Sequence, residues 1–339
     1  MNITQRVNSL VLLGEMLSVL TSKEIADVCF SAENENPWFT QTNIRQSITA
    51  IRDKYLTREA IGQMVSRYKL DDNIDKKRVG LILAGNIPLV GFHDILCCFL
   101  AGHISLIKYS DKDKILIPYL IKKLTEAYHD ASEYFVEIER LTDYDAVIAT
   151  GSNTTAKHFE FYFSHVPHII RKNKNSIAVL SGRESEAQLF ELGNDVFSYF
   201  GLGCRNVSKI FVPEKYDITQ LFEAFDAYKE VIYHHKYKNN YDYNVALFLL
   251  NKEKFLQNDM LILKESTEII SRIGSLHYEF YTDLPSLVSR IESHQNELQC
   301  VVSAMKIPGI QTIPFGLTQS PDITDYADGV DTMQFLLGL

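Results

Sequence analysis

The chain carries five cysteines, Cys29, Cys97, Cys98, Cys204 and Cys300, and one of them stands where a thiol could react. Cys204 lies in Gly201-Leu202-Gly203-Cys204-Arg205, between a helical pattern and a strand pattern. Flanking glycines let backbone approach a ligand, and the Arg205 guanidinium supplies the positive charge that favours thiolate over thiol. A thiolate in such a loop attacks carbonyl carbon and can hold an acyl group. The pentapeptide by itself reads equally as a small loop residue beside a solvated arginine.

A second feature could bind an anion. Ala149-Thr150-Gly151-Ser152-Asn153 reads as a strand end, a tight turn and a helix start. Amides at a helix N-terminus, joined by a hydroxyl, suit a phosphate group. Many strand-to-helix turns look alike, and no GxGxxG follows any strand, so the common dinucleotide fingerprint is absent.

Other conspicuous residues read as structural. Cys97-Cys98 lie in an apolar run and read as core packing. His234-His235 and His165-Val166-Pro167-His168 lack acidic or thiol partners at ligand spacing, which makes them surface or capping groups and argues against a metal. The aromatic run Phe159–Phe163 reads as buried, and Arg171-Lys172-Asn173-Lys174 as a solvated turn.

The elements that must position these residues follow from periodicity. Val7–Leu20 and Asn43–Tyr68 space apolar residues by three and four, as helices do. Arg78–Ala84 is a short apolar strand, and Gly85-Asn86-Ile87-Pro88 turns from it into a helix ending at Gly102. Ile104–Tyr109 is the next strand, followed by a helix to about Tyr128 with Asp111 as its N-cap. Tyr134–Ile138 and Asp145–Thr150 complete a set whose alternation with helices implies a parallel sheet covered on both faces. Ligands of such sheets lie beyond the carboxyl ends of the strands. A second α/β unit starts near Ile177, with strands at Ile177–Leu180, Val207–Val212, Val245–Leu249, Tyr278–Tyr281 and Leu298–Ser303, and a helix at Glu186–Phe200.

Composition bounds the function. A length of 339 residues exceeds one core and implies two domains. The net charge of −9, with no basic stripe, excludes a nucleic-acid partner, so an anionic ligand needs a local pocket of donors. The apolar stretch Leu10–Leu20 contains Glu15, and Ile87–Ala101 contains His93 and Asp94, so neither reads as a membrane span or a leader. An odd cysteine count without a CxxC pair suits free thiols in a reducing compartment, which points to the cytoplasm.

Taken in order, the landmarks carry more than any one of them. Gly85-Asn86-Ile87-Pro88-Leu89, Ala101–Ser110 (AGHISLIKYS), Ala149–Ser152, Gly201–Cys204 and Pro314-Phe315-Gly316 together resemble the aldehyde dehydrogenase superfamily. Asn36-Pro37-Trp38-Phe39-Thr40 and the tail Asp325–Thr332 (DYADGVDT) resemble, more narrowly, its fatty-acyl-CoA reductase branch, the type that supplies aldehyde for bacterial luminescence. The resemblance runs from about residue 36 to the end. It implies an aldehyde dehydrogenase-like fold of two α/β domains, the first of Rossmann type. The expected division is residues 1–176 for a helical segment plus the cofactor domain, 177–305 for the catalytic domain, and 306–339 for a tail that packs back or serves oligomerisation.

The resemblance also implies roles. Cys204 matches the catalytic thiol, and Asn86 the asparagine whose side-chain amide joins the Cys204 backbone N–H in an oxyanion hole. Lys108 and Ser110 match the lysine and serine that hold the adenosine ribose, with Tyr109 and Asp111 replacing the family's proline and glutamate. Gly151 and Ser152 match residues facing the cofactor diphosphate. The implied reaction is reduction of an acyl-CoA or acyl-carrier thioester to an aldehyde, with NADP(H) favoured over NAD(H). Alternatives are an acyl-phosphate reductase, a hydrolytic aldehyde dehydrogenase, and a nucleotide-binding interaction protein whose catalysis has lapsed. Hydrolytic members carry a glutamate in a strand reading L-E-L-G-G. Ala178-Val179-Leu180-Ser181-Gly182 puts Val179 there, which implies slow hydrolysis. A late E-I-F-G-P motif survives at best as Glu268-Ile269-Ile270, and residues 69–78 leave no room for a projecting dimerisation hairpin, so a homodimer stays open.

Overall fold

The computed structural model describes residues 1–19, 22–72 and 75–339; Leu20, the expected end of the first helix, lies outside them. The chain divides into two units, Met1–Asn173 with Ser320–Leu339, and Lys174–Gln319. The division therefore falls after Asn173, and the last stretch is shared between the units, changing over at Ser320.

In the first unit, helices α1 (Ile3–Val19), α2 (Ser22–Glu35), α3 (Gln41–Lys54) and α4 (Arg58–Tyr68) precede the sheet. The pattern over Asn43–Tyr68 splits because Thr57 turns its hydroxyl onto the Ala60 amide and starts a new helix. Then come β1 (Arg78–Ile82), α5 (Phe92–Ala101), β2 (Ile104–Lys108), α6 (Leu116–Ala127), β3 (Phe135–Glu137), β4 (Ala146–Thr150), α7 (Asn153–Tyr162) and β5 (His168–Arg171). The sheet is parallel throughout, in the order β3-β2-β1-β4-β5. Leu10, Leu13, Leu96, Phe99, Leu81 and Ile107 build the core on one face, while Val147, Ala149 and Phe163 pack on the other.

Three local expectations change. The helix after Pro88 starts only at Phe92, because Leu89 is left-handed with φ 60°. The cap of α6 is not Asp111, which is exposed and paired with Lys114; buried Asp113 accepts from the Leu116 amide. Arg171 is no solvated turn residue. It ends β5, is 5% exposed, pairs with Asp94 of α5 and donates to Thr332 Oγ1 at 2.8 Å. Thr332 opens a short helix, Thr332–Leu337, which packs on α5 through buried Met333 and Leu336.

The second unit contains β6 (Asn175–Val179), α8 (Glu186–Phe197), β7 (Val207–Pro213), α9 (Gln220–Ala224), α10 (His235–Leu250), β8 (Leu256–Gln257), β9 (Ile262–Glu265), β10 (Ser275–Tyr281), α11 (Leu284–Ser293), β11 (Leu298–Val302) and β12 (Thr312–Ile313). Its sheet runs β12-β11-β6-β7-β10-β9-β8, parallel except for the β8–β9 pair. Strand alternation sorts β7 onto two cores: Ile210 and Val212 join Leu192 and Leu276, while Phe211 joins Ile177, Leu287 and Val301. Val245–Leu249, expected as a strand, forms the last turns of α10, where Phe248 is buried and Leu249 and Leu250 face out. Among the described residues no helix is long and apolar enough to cross a membrane.

Candidate active site

Cys204 sits half-buried in the loop between a 3₁₀ turn, Ser198–Gly201, and β7. Three consecutive residues before it are left-handed: Tyr199 (φ 52°), Phe200 (φ 59°) and Gly201 (φ 75°). Glycine tolerates this; a tyrosine and a phenylalanine do so at a cost of about 1 kcal/mol or more each, and hold only where the surroundings force them. Here both aromatic residues are buried, with the Phe200 ring centroid 4.4 Å from that of His234. Asn206 fixes the rest of the loop. Its Oδ1 accepts from the Gly203 amide at 2.8 Å, and its Nδ2 donates to the Ser198 carbonyl at 2.8 Å and the Asp195 carbonyl at 3.0 Å. The thiol is thus carried by a strained turn tied at both ends.

Two further groups reach this loop. Ser176, at the start of β6, donates its hydroxyl to the Cys204 carbonyl at 3.0 Å. Asp195, with no exposed surface, accepts from the Gly316 amide at 2.7 Å and the Thr318 amide at 3.1 Å, which brings the Pro314-Phe315-Gly316 segment onto α8. Gly316 is left-handed (φ 82°), a conformation that favours glycine, and a Cβ there would press on the Glu191 side chain. Asn206, Asp195 and Ser176 were not singled out in the sequence. The one available signal was an asparagine directly before an apolar strand, a weak cue for a loop brace.

Val179 does not face this loop. Its side chain is fully buried in the core with Ile177, Phe211 and Leu287, whereas the Ser176 end of β6 is the one that meets Cys204. Residue 179 is therefore not placed to act on water at Cys204, and its identity does not imply slow hydrolysis.

In the first unit, the strand order reverses at β1, whose neighbours are β2 and β4. Such a reversal opens a crevice at the carboxyl ends of the strands. Ile82 pairs with Lys108 on one side and Ala149 on the other, so the turns carrying Asn86, Lys108, Ser110, Gly151 and Ser152 emerge side by side. The loops after β1 and β2 touch: a Cβ on Gly85 would lie 2.5 Å from Ser110 Oγ. Lys108 is exposed, while Asn86 and Ser110 are half-buried. Ser152 caps α7, accepting from the Thr155 amide at 3.2 Å, and a Cβ on Gly151 would meet Thr155 at 3.0 Å. Asn36 of the Asn-Pro-Trp-Phe segment donates to the Lys112 carbonyl at 3.2 Å and so anchors the loop after Ser110.

The turn bearing Asn86 is held from below by two groups absent from the sequence reading. Asp113 Oδ2 accepts from the Leu89 amide at 2.9 Å, and Ser47 donates to the Pro88 carbonyl at 2.8 Å. Cys204 belongs to the second unit and the other matched residues to the first.

The remaining candidates are structural. His234 caps α10 through the Tyr237 amide, His168 meets the Val166 carbonyl, and Cys97 and Cys98 are core residues. Among the described residues no three His, Cys, Asp or Glu converge as a metal requires. The run Phe159–Phe163 is only partly buried: Phe163 is inside, but Phe161 and Tyr162 are exposed.

By sequence, no family model matches the chain and no curated protein does. Solved structures do match by fold. Aldehyde dehydrogenase 21 from Physcomitrella patens, in complex with succinate, superposes with a TM-score of 0.68 at 12% identity over 100% of this chain and 84% of that one. An indole-3-acetaldehyde dehydrogenase in complex with NAD+ gives 0.69 at 12% identity over 96% and 80%. The AldH of Staphylococcus aureus in its substrate-bound state gives 0.61 at 14% identity over 94% and 82%. At these identities the likeness establishes the fold: α/β, aldehyde dehydrogenase-like, with a Rossmann-type first unit.

Proposed function

We propose that this protein reduces a fatty acyl thioester, presented by coenzyme A or an acyl carrier, to an aldehyde through an acyl-enzyme on Cys204. The observation that carries the reading is the strained, doubly tied turn that presents a half-buried thiol, since strain of this kind concentrates at functional sites. The Cys204 thiolate attacks the thioester carbonyl; its new carbon–sulfur bond replaces the one to the leaving thiol. Asn86 is assigned the side-chain donor to the developing oxyanion.

The first unit suits a nicotinamide dinucleotide. The crevice at β1, the close turn at Gly151 and the N-terminus of α7 favour a diphosphate, and Lys108 supplies a cation for the adenosine end. When bound in reduced form, the cofactor supplies the hydride that turns the thioester carbonyl into an aldehyde. NADP(H) is placed ahead of NAD(H), and the fold likeness to NAD+ complexes keeps both in the test.

A second reading gains from one observation. Because Val179 is a core residue, nothing in β6 argues against hydrolysis of the acyl-enzyme, and oxidation of aldehyde to acid is the rival. Purified protein incubated with an acyl-CoA series and each reduced cofactor, followed by absorbance, separates the two. Reductase activity gives cofactor oxidation and aldehyde. In the same assay Lys108→Met raises the cofactor KM, while Asn86→Ala lowers kcat by about 10²–10³, the usual cost of one oxyanion donor. Aldehyde-dependent cofactor reduction, with free acid as product and no need for coenzyme A, establishes the rival instead.

A further inference from the structure

We propose that Cys300 is a resolving thiol for Cys204, so that peroxide converts the pair into a reversible disulfide rather than destroying the reactive thiol. The proposal rests on the reading of Cys204 as the reactive cysteine. Both residues lie in the second unit, and both are half-buried.

The geometry converges on one oxygen. Ser176 Oγ donates its single proton to the Cys204 carbonyl at 3.0 Å, and its other contact, at 2.9 Å, is Cys300 Sγ. With that proton committed, the Cys300 thiol is the donor in the second contact. One hydroxyl thus joins the backbone of the reactive loop to the second thiol.

The sheet is irregular at this point on both sides of β6. Between Leu298 and Val301 of β11 the partner strand advances only from Asn175 to Ile177, so the stretch through Gln299 and Cys300 holds an extra residue. Between Ser176 and Ile177 the other partner advances from Val207 to Lys209, an extra residue in β7. Such bulges re-aim side chains and cluster beside active sites. Here they flank Ser176 and lie next to the thiol loop.

The chemistry balances with a peroxide as oxidant. The Cys204 thiolate attacks one peroxide oxygen; a sulfur–oxygen bond forms, the oxygen–oxygen bond breaks, and the released hydroxide is protonated to water. The sulfur has lost two electrons and the peroxide has gained them. Cys300 sulfur then attacks Cys204 sulfur: a sulfur–sulfur bond forms, the sulfur–oxygen bond breaks, and the hydroxide leaves as water with the Cys300 proton. Burial pushes the Cys300 thiol up to about 11, partly offset by Arg205. At rest it is therefore protonated and does not compete with Cys204 for acyl donors.

The full-length protein, reduced and freed of reductant, is treated with hydrogen peroxide, blocked with N-ethylmaleimide and mapped by peptide mass spectrometry. The expected product is a peptide linking Cys204 to Cys300, with loss of thiol labelling at both and full recovery after dithiothreitol. In Cys300→Ser, and in Cys300→Ala as a second variant, Cys204 instead advances to sulfinic acid that dithiothreitol does not reverse. Sulfinic acid at Cys204 in the unmodified sequence, without a linked peptide, overturns the proposal; so does a link from Cys204 to a second chain. The map needs no turnover, so it is separable from the function. Acyl transfer that persists in Cys204→Ala sinks the acyl-enzyme reading whatever the peroxide map shows.

Discussion

Burial and hydrogen bonding pull the Asp195 carboxyl in opposite directions. Burial raises its pKa, the Gly316 and Thr318 amides lower it, and the balance stands at about 6. The folded value lies above the unfolded one of about 3.9, so the folded protein binds this proton more tightly. The stability it contributes is complete below about pH 4 and is lost as pH rises through about 6. Asp195→Asn cannot titrate. The stability of the natural sequence relative to this variant should therefore rise by about 2–3 kcal/mol as pH falls from neutral to about 4. Urea unfolding of both proteins at the two pH values measures it, and a difference that stays flat contradicts the assignment. Asp113 also lies at about 6, but it is common to both proteins and cancels. None of this was legible from residue types, since an acid in a helix reads as solvent-facing until its neighbours are known.

Between the strand end at Ile82 and the helix start at Phe92, the chain makes its turn under tension, and Asp113 is the group that holds it. The carboxylate accepts from the amide of left-handed Leu89 and from that of Leu116, tying the turn after β1 to the start of α6. Asp113→Ala orphans both amides at about 1–3 kcal/mol each, and hydrogen exchange at Leu89 and Leu116 should accelerate accordingly. Asp111→Ala, two residues away but exposed, should change stability by no more than about 0.5 kcal/mol. Equal effects would mean that the brace is not Asp113. Elements of this kind set the limit of sequence reading. The strands Arg78–Ile82, Ile104–Lys108 and Ala146–Thr150 are legible because a strand buried on both faces is almost wholly apolar, broken inside only by buried Ser105. Val245–Leu249 shows the same apolar run yet ends a helix, because α10 buries one side of it and leaves Leu249 and Leu250 outside. Strand β5 was missed because its last residue is a buried arginine, whose partner Asp94 is distant in sequence. Val179 was misread because a short motif fixes neither which strand carries it nor which face it takes.

At the scale of the whole chain, two α/β units divide the labour that the proposed reaction requires. The Rossmann-type unit gathers Asn86, Lys108, Ser110, Gly151 and Ser152 on adjoining strand ends, and the other unit spends backbone strain on a single loop to present Cys204. The order of landmarks along the sequence was enough to foresee this fold. The bracing by Asn206, Asp195, Ser176 and Asp113 was not visible there, because each acts across a distance the chain closes only on folding. The proposed reaction depends on Cys204 carrying the acyl group. Rapid mixing with a long-chain acyl-CoA in the absence of cofactor, followed by intact-mass measurement, tests it most directly. One acyl adduct is expected, mapping to Cys204, absent in Cys204→Ala and discharged as aldehyde when reduced cofactor is added. An adduct that persists in Cys204→Ala, or aldehyde formation by that variant at an undiminished rate, would contradict it.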